Sequence, residues 1–173
     1  MARLLPYVYG MTDRPARLAT FSYVGLHRYS LTFCVRERKT VFTEALLVAA
    51  MLGQISHAAR DWAFAVLAYC FMPDHLHLLV DAVSDESKLK PFAKMAKQRS
   101  GASHALCGHG RLWHEGFWDQ VLRKDADPSP TIRYIFENPV RARLVKTPRD
   151  YPHLGSDVWP LEQLLDLCSS LDR

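Results

Sequence analysis

The 173-residue chain lacks the features of membrane proteins and of disulfide-stapled secreted proteins. No apolar run reaches the ~18 residues that a transmembrane helix needs. Segment 1–6 lacks the apolar stretch and the cleavage site of a signal peptide, so we expect a cytoplasmic protein without a membrane partner. The cysteines form no C-x-x-C pair, which argues against a zinc knuckle and predicts reduced, buried thiols. They are Cys34, Cys70, Cys107 and Cys168.

Signatures of several common enzyme classes are also missing. The chain has no P-loop, no G-x-G-x-x-G and no G-x-S-x-G, so nucleotide-binding and serine-hydrolase functions have no support. It has no internal repeat and no linker long enough to divide it. With 49% apolar and 23% charged residues, the composition is that of a globular protein. We expect one domain over 1–173, with a core at about 28–151 between an irregular lead-in and a tail.

Basic residues gather in two stretches although the formal net charge is only +4. Either stretch alone is typical of a solvated face, but two of them flanking the candidate site residues suit a surface that tracks phosphates. A nucleic-acid partner would place the protein at the nucleoid. The predicted DNA-binding residues are Lys90, Lys94, Lys97, Arg99, Arg133, Arg141 and Arg143.

The hydrophobic pattern predicts a β-α-β-β-α-β order followed by a further helix. Alternating or apolar runs predict strands at 28–35, 62–71, 75–81 and 112–122. Helices are expected at 43–60, with Thr43 as N-cap, and at 84–105. A last helix is expected from Ser129 as N-cap with Pro130 at its first position. This order indicates a ferredoxin-like α+β fold, an antiparallel sheet with helices on one face and the other face open to a ligand.

His75 and His77 stand two positions apart at the start of a predicted strand. Side chains at i and i+2 of a strand point to the same face, so both imidazoles project together while Leu76 turns into the core. A shared cation would remove the repulsion of two adjacent imidazoles. For an arbitrary H-x-H, two surface histidines remain the simpler interpretation. Asp74 either orients a histidine or, as we favour, only forms the turn.

Tyr134 and Asn138 lie four positions apart in the last helix, and therefore on one helix face. Pro139 disfavours helical geometry at Asn138, so the last turn should be distorted. A helical tyrosine usually belongs to the core, although the neighbouring apolar residues could fill the core and leave Tyr134 to present its hydroxyl. Likewise, Trp113, Phe117 and Trp118 could stack on bases, but alternating aromatics on a strand more often pack inside.

Three segments resemble motifs of one family. Segment 71–80, FMPDHLHLLV, resembles the HUH motif of single-tyrosine transposases. Segment 110–118, GRLWHEGFW, and segment 133–145, RYIFENPVRARLV, resemble that family's approach to the last strand and its tyrosine helix. The chain is most similar to the REP-associated tyrosine transposases (RAYT), a branch of the insertion-sequence-200-like group. Arg143 stands where this branch usually has a glycine, which questions the loop geometry there.

The resemblance implies a ferredoxin-like fold and cleavage and rejoining of single-stranded or hairpin DNA. It implies Tyr134 as the nucleophile that forms a 5′-phosphotyrosine, and Mg²⁺ or Mn²⁺ held by His75 and His77. Asn138 resembles the third metal ligand. The REP-associated branch favours a monomer, while other members of the family are homodimers.

Two other functions stay open. The chain could be an inactive, domesticated protein that binds hairpin DNA or RNA through its basic surface. It could also be a phosphodiesterase that uses a metal-activated water, which the H-x-H pair alone would support.

Overall fold

A computed structural model describes residues 21–106 and 108–169, so the lead-in before residue 21 and Cys107 lie outside the described residues. Five antiparallel strands form one sheet in the order β4-β1-β3-β2-β5. The strands are β1 (Arg28–Cys34), β2 (Phe64–Met72), β3 (His75–Ala82), β4 (Trp118–Leu122) and β5 (Leu154–Gly155). The helices are α1 (Ala45–Asp61), α2 (Leu89–Leu106), α3 (Ser129–Phe136), α4 (Asn138–Arg141) and α5 (Leu161–Ser169). The predicted ferredoxin-like order is confirmed, with β5 as an added edge strand.

Helices α1 and α2 pack together on one face of the sheet, where they enclose the larger core. Met51 and Ile55 of α1 and Phe92 of α2 are fully buried there against alternate residues of the strands. In β3 these alternate residues include Leu76 and Leu78. Burial of this apolar face is the main force that holds both helices on the sheet.

The opposite face is partly covered, because α3 packs on β2 and β3 and α5 packs on α3, around a second core. Ile132, Ile135 and Phe136 of α3 are the buried residues of this contact. A register shift in β2 between Val66 and Ala68 turns two consecutive residues toward this core. The sequence predicted an open face. The structure leaves it open mainly over β1 and β4.

Two helices begin later than the sequence predicted. Thr43 is not the N-cap of α1, because the cap is Glu44 in an extended conformation without a side-chain capping bond. Helix α2 begins at Leu89 rather than at 84, because residues 84–87 form a turn that a hydrogen bond from Ser87 N to Ser84 O closes.

The start of α3 also differs by one residue. Ser129 is its first residue rather than its N-cap, which is Pro128. The Oδ1 of Asp127 accepts bonds from the main-chain nitrogen and the hydroxyl of Ser129, at 3.0 and 2.7 Å. Asp127 therefore satisfies the free amide at the helix start, the task that the sequence assigned to Ser129.

The strand predicted over 112–122 is only half as long. Residues 112–117 form a loop, in which Trp113 makes one isolated bridge with Val35. The ammonium of Lys97 bonds the carbonyls of His114 and Gly116 and so holds this loop in an irregular course. Strand pairing with β1 starts only at Trp118.

The last turn of the helix with Tyr134 is interrupted, as predicted, but the break falls at Glu137, and Asn138 itself is helical. α3 ends at Phe136, and the separate turn α4 begins at Asn138. After α4, Arg143 has φ +58°, a left-handed conformation that a glycine would adopt without steric cost. Arg143 thus has a backbone conformation that favours glycine, the residue that the resemblance leads us to expect there.

None of the helices within residues 21–106 and 108–169 combines the length and the apolar character needed to cross a membrane. Cys34, Cys70 and Cys168 form no disulfide among the described residues. Cys70 is buried as expected, whereas Cys34 and Cys168 are only half-buried.

Candidate active site

His75 and His77 project from the same face of the central strand β3, and their rings lie against each other. Their Nε2 atoms are 3.1 Å apart, and their ring planes are nearly perpendicular. Both residues are buried, with 7% and 3% of their surface exposed. The strand alternation that predicted this pair is confirmed, since Leu76 between them enters the opposite core.

The other ring nitrogen of each histidine has its own protein partner. The Nδ1 of His75 lies 2.6 Å from Oδ1 of Asp74, and the Nδ1 of His77 lies 3.1 Å from the hydroxyl of Thr32. When each Nδ1 donates to its neighbouring oxygen, each Nε2 carries a lone pair directed at the other. Two lone pairs at this distance repel unless a proton or a cation lies between them. Such outer partners are typical of histidines that bind metals.

Arg38 extends this arrangement by one more residue. Its Nε lies 2.8 Å from Oδ2 of Asp74, the carboxylate that holds His75. Arg38 and Glu37 both have left-handed φ angles, +55° and +58°. Consecutive non-glycine residues in this region are strained, and strain of this kind is often found beside functional sites. The strained backbone conformation at Glu37 and Arg38 brings the guanidinium of Arg38 to Asp74, where it orients the carboxylate.

Burial and charge favour neutral His77 and ionised Asp74. Desolvation by burial lowers the pKa of His77 well below its usual range, and the positive charges of His75, Arg141 and Arg38 lower it further. Desolvation alone would raise the pKa of Asp74. The hydrogen bond and charge of His75, together with the charge of Arg38, outweigh that effect and lower it. A neutral imidazole is the form that can bind a metal ion.

Tyr134 of α3 lies next to the histidine pair. The centroids of its ring and of the His77 ring are 6.5 Å apart, with the planes at 78°. Its neighbours Ile132, Ile135 and Phe136 are buried, whereas Tyr134 itself is only partly buried. The sequence expectation that these apolar residues would fill the core is confirmed. The nucleophile role of Tyr134 stays a prediction.

Arg141 of α4 covers the other side of the tyrosine. Its guanidinium carbon lies 4.3 Å from the centroid of the Tyr134 ring, a cation–π distance. One nitrogen donates to the main-chain carbonyl of Tyr134, and another pairs with Glu137 at 3.0 Å. The sequence predicted Arg141 only as a DNA contact. The structure places it against the candidate nucleophile.

Asn138 is buried where α3 gives way to α4. Its Nδ2 donates to the carbonyls of Tyr134 and Ile135, at 3.0 and 3.2 Å. These bonds satisfy two carbonyls at the end of α3. The amide oxygen is the atom of Asn138 with the chemistry of a metal ligand, and that role stays a prediction.

The predicted DNA-binding residues lie on two different sides of the sheet. Lys90, Lys94 and Lys97 border a groove of about 550 Å³ between α2 and the loop 111–117, on the face opposite the histidines. Lys97 also anchors that loop. Arg99 pairs with Asp61 at 2.7 Å.

On the histidine side, Arg133 donates to the carbonyl of Leu167 and so holds α5, and Arg143 is exposed. All seven DNA contacts stay predictions.

The pair His75 and His77 supplies some of the ligands that a hard divalent cation needs, but not all of them. Two converging Nε2 atoms with oriented outer partners fit, and Asn138 would add an oxygen. Within the described part of the chain, no group of three or more His, Cys, Asp and Glu side chains could hold a metal by itself. The remaining positions would fall to phosphate oxygens of a substrate or to water, as is common for Mg²⁺.

Thr32 and Arg38 are the site residues that the sequence interpretation missed. Thr32 faces His77 because β1 and β3 pair in the register Thr32↔His77. Pairing of β1 with β3 was implicit in the fold, but no local signal sets its register. The contact of Arg38 with Asp74 depends on a backbone conformation that the sequence does not announce.

Comparisons with known proteins identify the family of the chain. The family described as "Transposase IS200 like" matches residues 23–124, more than half of the chain. Over 54% of its length, the chain is 28% identical to a REP-associated tyrosine transposase of Escherichia coli. It is 25% identical, over the same share, to a Haemophilus influenzae protein named as a candidate member of that group. The matches cover 54% and 60% of these relatives, so the chain spans little more than half of their length.

A solved structure of a REP-associated tyrosine transposase bound to a REP hairpin has the same fold, with a TM-score of 0.67 at 21% identity. The superposition covers 80% of this chain and 82% of that one. The resemblance to REP-associated tyrosine transposases is confirmed, and the chain belongs to the family of IS200-like transposases.

Proposed function

We propose that the protein cleaves and rejoins single-stranded DNA through a covalent bond to Tyr134. The observation that carries this proposal is the meeting of three side chains. Two buried imidazoles converge with their Nε2 atoms 3.1 Å apart, and the partly buried ring of Tyr134 lies against one of them. A pair of surface histidines would not need oriented outer partners or a tyrosine beside it.

His75 and His77 would hold Mg²⁺ or Mn²⁺, with Asn138 as a further ligand. When bound, the ion polarises the scissile phosphate and offsets the charge that develops in the transition state. The role of the protein is to fix both imidazoles and to keep His77 neutral. Asp74 and Thr32 do this through the Nδ1 atoms, and burial disfavours protonation of His77.

Tyr134 would supply the nucleophile. Its Oη attacks phosphorus and releases a proton, the bond from phosphorus to the 3′ oxygen breaks, and that oxygen takes up a proton. The products are a 5′-phosphotyrosine and a free 3′-OH. Because the phosphodiester bond is exchanged rather than hydrolysed, a 3′-OH can reverse the step without ATP.

The substrate class follows from access to the phosphate. A duplex would keep the bases paired and the scissile phosphate away from a buried histidine pair, whereas a single strand beside a hairpin can enter. The structural neighbour is bound to a REP hairpin, and we propose a hairpin with a single-stranded flank for this chain too. The monomeric state and the nucleoid location stay predictions.

A denaturing gel tests the proposal. Labelled hairpin DNA with single-stranded flanks, taken from repeats beside the gene, is incubated with protein and Mn²⁺. We expect a labelled band at the mass of the protein, lost with EDTA and in Tyr134→Phe. Tyr151→Phe is the matched control, because Tyr151 lies in the same core and uses its hydroxyl to bond the carbonyl of Phe71. An adduct that survives in Tyr134→Phe would show that another residue is the nucleophile.

Binding of hairpin DNA or RNA without catalysis is the second candidate. It is favoured by the lack of a complete protein ligand set among the described residues. Tight hairpin binding with no adduct in either Mg²⁺ or Mn²⁺ would support it. A nicked product without attached protein would instead indicate a water-using phosphodiesterase.

A further inference from the structure

Trp118, the first residue of β4, is a tryptophan that joins neither core. All tryptophans of the chain lie within the described residues, and the other three pack in or against a core. Trp113 and Phe117 are 4% and 9% exposed, which removes them as stacking surfaces for a ligand. Trp118 stays partly exposed. Next to the histidine pair, such a ring offers a flat apolar face on which a ligand can stack.

The strand register places Trp118 in the same cross-strand row as the site. Trp118 pairs with Thr32 of β1, and Thr32 pairs with His77 of β3. Directly paired residues of antiparallel strands point to the same face. The contact between Thr32 and the His77 ring confirms that this is the histidine face. With neighbouring strands ~4.8 Å apart, the Cα atoms of Trp118 and His77 are roughly 10 Å apart.

The surface beside Trp118 has the chemistry of a site for a base. Gln120 and Ser30 form the next pair along the same face, and Gln120 is exposed. An amide and a hydroxyl can both donate to and accept from the polar edge of a base. An indole ring stacks on any base because every base has a π face. Helix α3 covers the face over β2 and β3, so the open direction from the histidines runs toward Trp118.

We propose that Trp118 is the stacking platform for one unpaired base next to the scissile phosphate. The inference rests on the proposed function, since it takes the phosphate to lie at the histidine pair. A base extends several ångströms from its phosphate, and an indole extends a similar distance from its backbone. The two rings would therefore meet over β1, the strand that lies between β3 and β4. Gln120 and Ser30 then contact the edge of that base or of its neighbour.

Equilibrium binding in EDTA tests the platform separately from the chemistry, because no cleavage occurs. The probe is fluorescent hairpin DNA with single-stranded flanks. Trp118→Ala should weaken binding roughly 5- to 150-fold, the range that stacking on one base supplies. Trp118→Phe should stay near the wild type. Trp118→Leu keeps apolar bulk without a π face and should behave like the alanine variant. Trp159→Phe, a half-buried tryptophan packed against the second core, is the control.

Abasic sites identify the base. Moved one nucleotide at a time through the flanks, an abasic site should weaken binding to the wild type strongly at one position. At that position it should have little further effect on Trp118→Ala, because the lost contact is the same. Equal affinity of the wild type and Trp118→Ala would overturn the proposal. It would also be overturned if the losses of binding free energy from the abasic site and from Trp118→Ala were additive at every position.

The two proposals fail in different ways. A wild type that binds but forms no adduct refutes the tyrosine chemistry, whereas a loss of affinity in Trp118→Ala would still show that Trp118 stacks on a base. An adduct-forming protein that is indifferent to Trp118→Ala refutes the platform alone. Absence of any DNA binding refutes both.

Discussion

Replacement of Arg141 by alanine should slow the reaction without weakening DNA binding. The guanidinium lies over the Tyr134 ring, bonds the carbonyl of the same residue and pairs with Glu137. These contacts hold the side chain of Arg141 against Tyr134 and Glu137, so that it has little freedom to follow a DNA strand. Its removal should release the tyrosine ring into orientations in which the hydroxyl does not face the phosphate.

The contacts give the size of the effect. A cation–π contact at an exposed site contributes about 0.5–1 kcal/mol, and a charged hydrogen bond about 1.5–3 kcal/mol. Because the side chain of Arg141 is 42% exposed, we discount the sum for solvent screening to about 1–2 kcal/mol. If this free energy holds the productive orientation of Tyr134, its loss slows adduct formation roughly 5- to 30-fold.

The assay separates rate from affinity. Single-turnover adduct formation is measured at saturating DNA, and the dissociation constant is measured in EDTA at several salt concentrations. Arg141→Ala should lower the rate and leave the affinity and its salt dependence unchanged, with Arg141→Lys between the two. Lys146→Ala, a nearby exposed basic residue outside the predicted DNA contacts, is the control. An unchanged rate with weaker binding and a salt slope reduced by about one would refute this reasoning, because that pattern marks a phosphate contact.

Two further predictions concern the histidine pair. Asp74→Ala should weaken Mn²⁺ binding about 10- to 100-fold, measured by calorimetry, because His75 loses the partner that orients it. The exposed Asp85→Ala should have no effect, and equal affinities would contradict the outer-partner role. The free energy of unfolding in EDTA should fall below pH ~6.5 by up to about 1.4 kcal/mol per pH unit, because the unfolded state protonates His77 and the folded state, with its lowered pKa, does not. His153, whose pKa burial also lowers, adds to this slope, so His77→Gln should flatten only part of it, and an unchanged slope would contradict the argument.

The histidine pair could be predicted because its geometry is local. Alternation along a strand places i and i+2 on one face whatever the rest of the chain does, and β3 follows this rule from His75 to Ala82. The helix break before Asn138 was equally local, because Pro139 acts on its neighbour. The family motifs indicated the candidate nucleophile, since physical reasoning alone favoured a core position for Tyr134.

The remainder of the site depends on contacts between distant segments. Thr32 reaches His77 through strand register, and Arg38 reaches Asp74 through a strained turn. The basic residues show the same limit. Lys94 and Arg141 both belong to basic stretches of the sequence, but in the structure they lie on opposite faces of the sheet. The predicted cap of α3 was wrong even though capping is a local feature. Asp127, and not Ser129, accepts the hydrogen bond at the start of the helix.

The burial of β3 on both faces separates the site into a rigid part and a movable part. From His75 to Val80 every residue of this central strand is buried and paired on both sides, so its amide hydrogens should exchange only when the whole domain unfolds. Tyr134 is carried by an eight-residue helix that ends before Pro139 and lies on the sheet from outside. Such a helix can open in a separate, lower-energy step. Under the proposed function, opening of α3 would carry Tyr134 and its attached DNA away from the histidines, which keep their positions on β3.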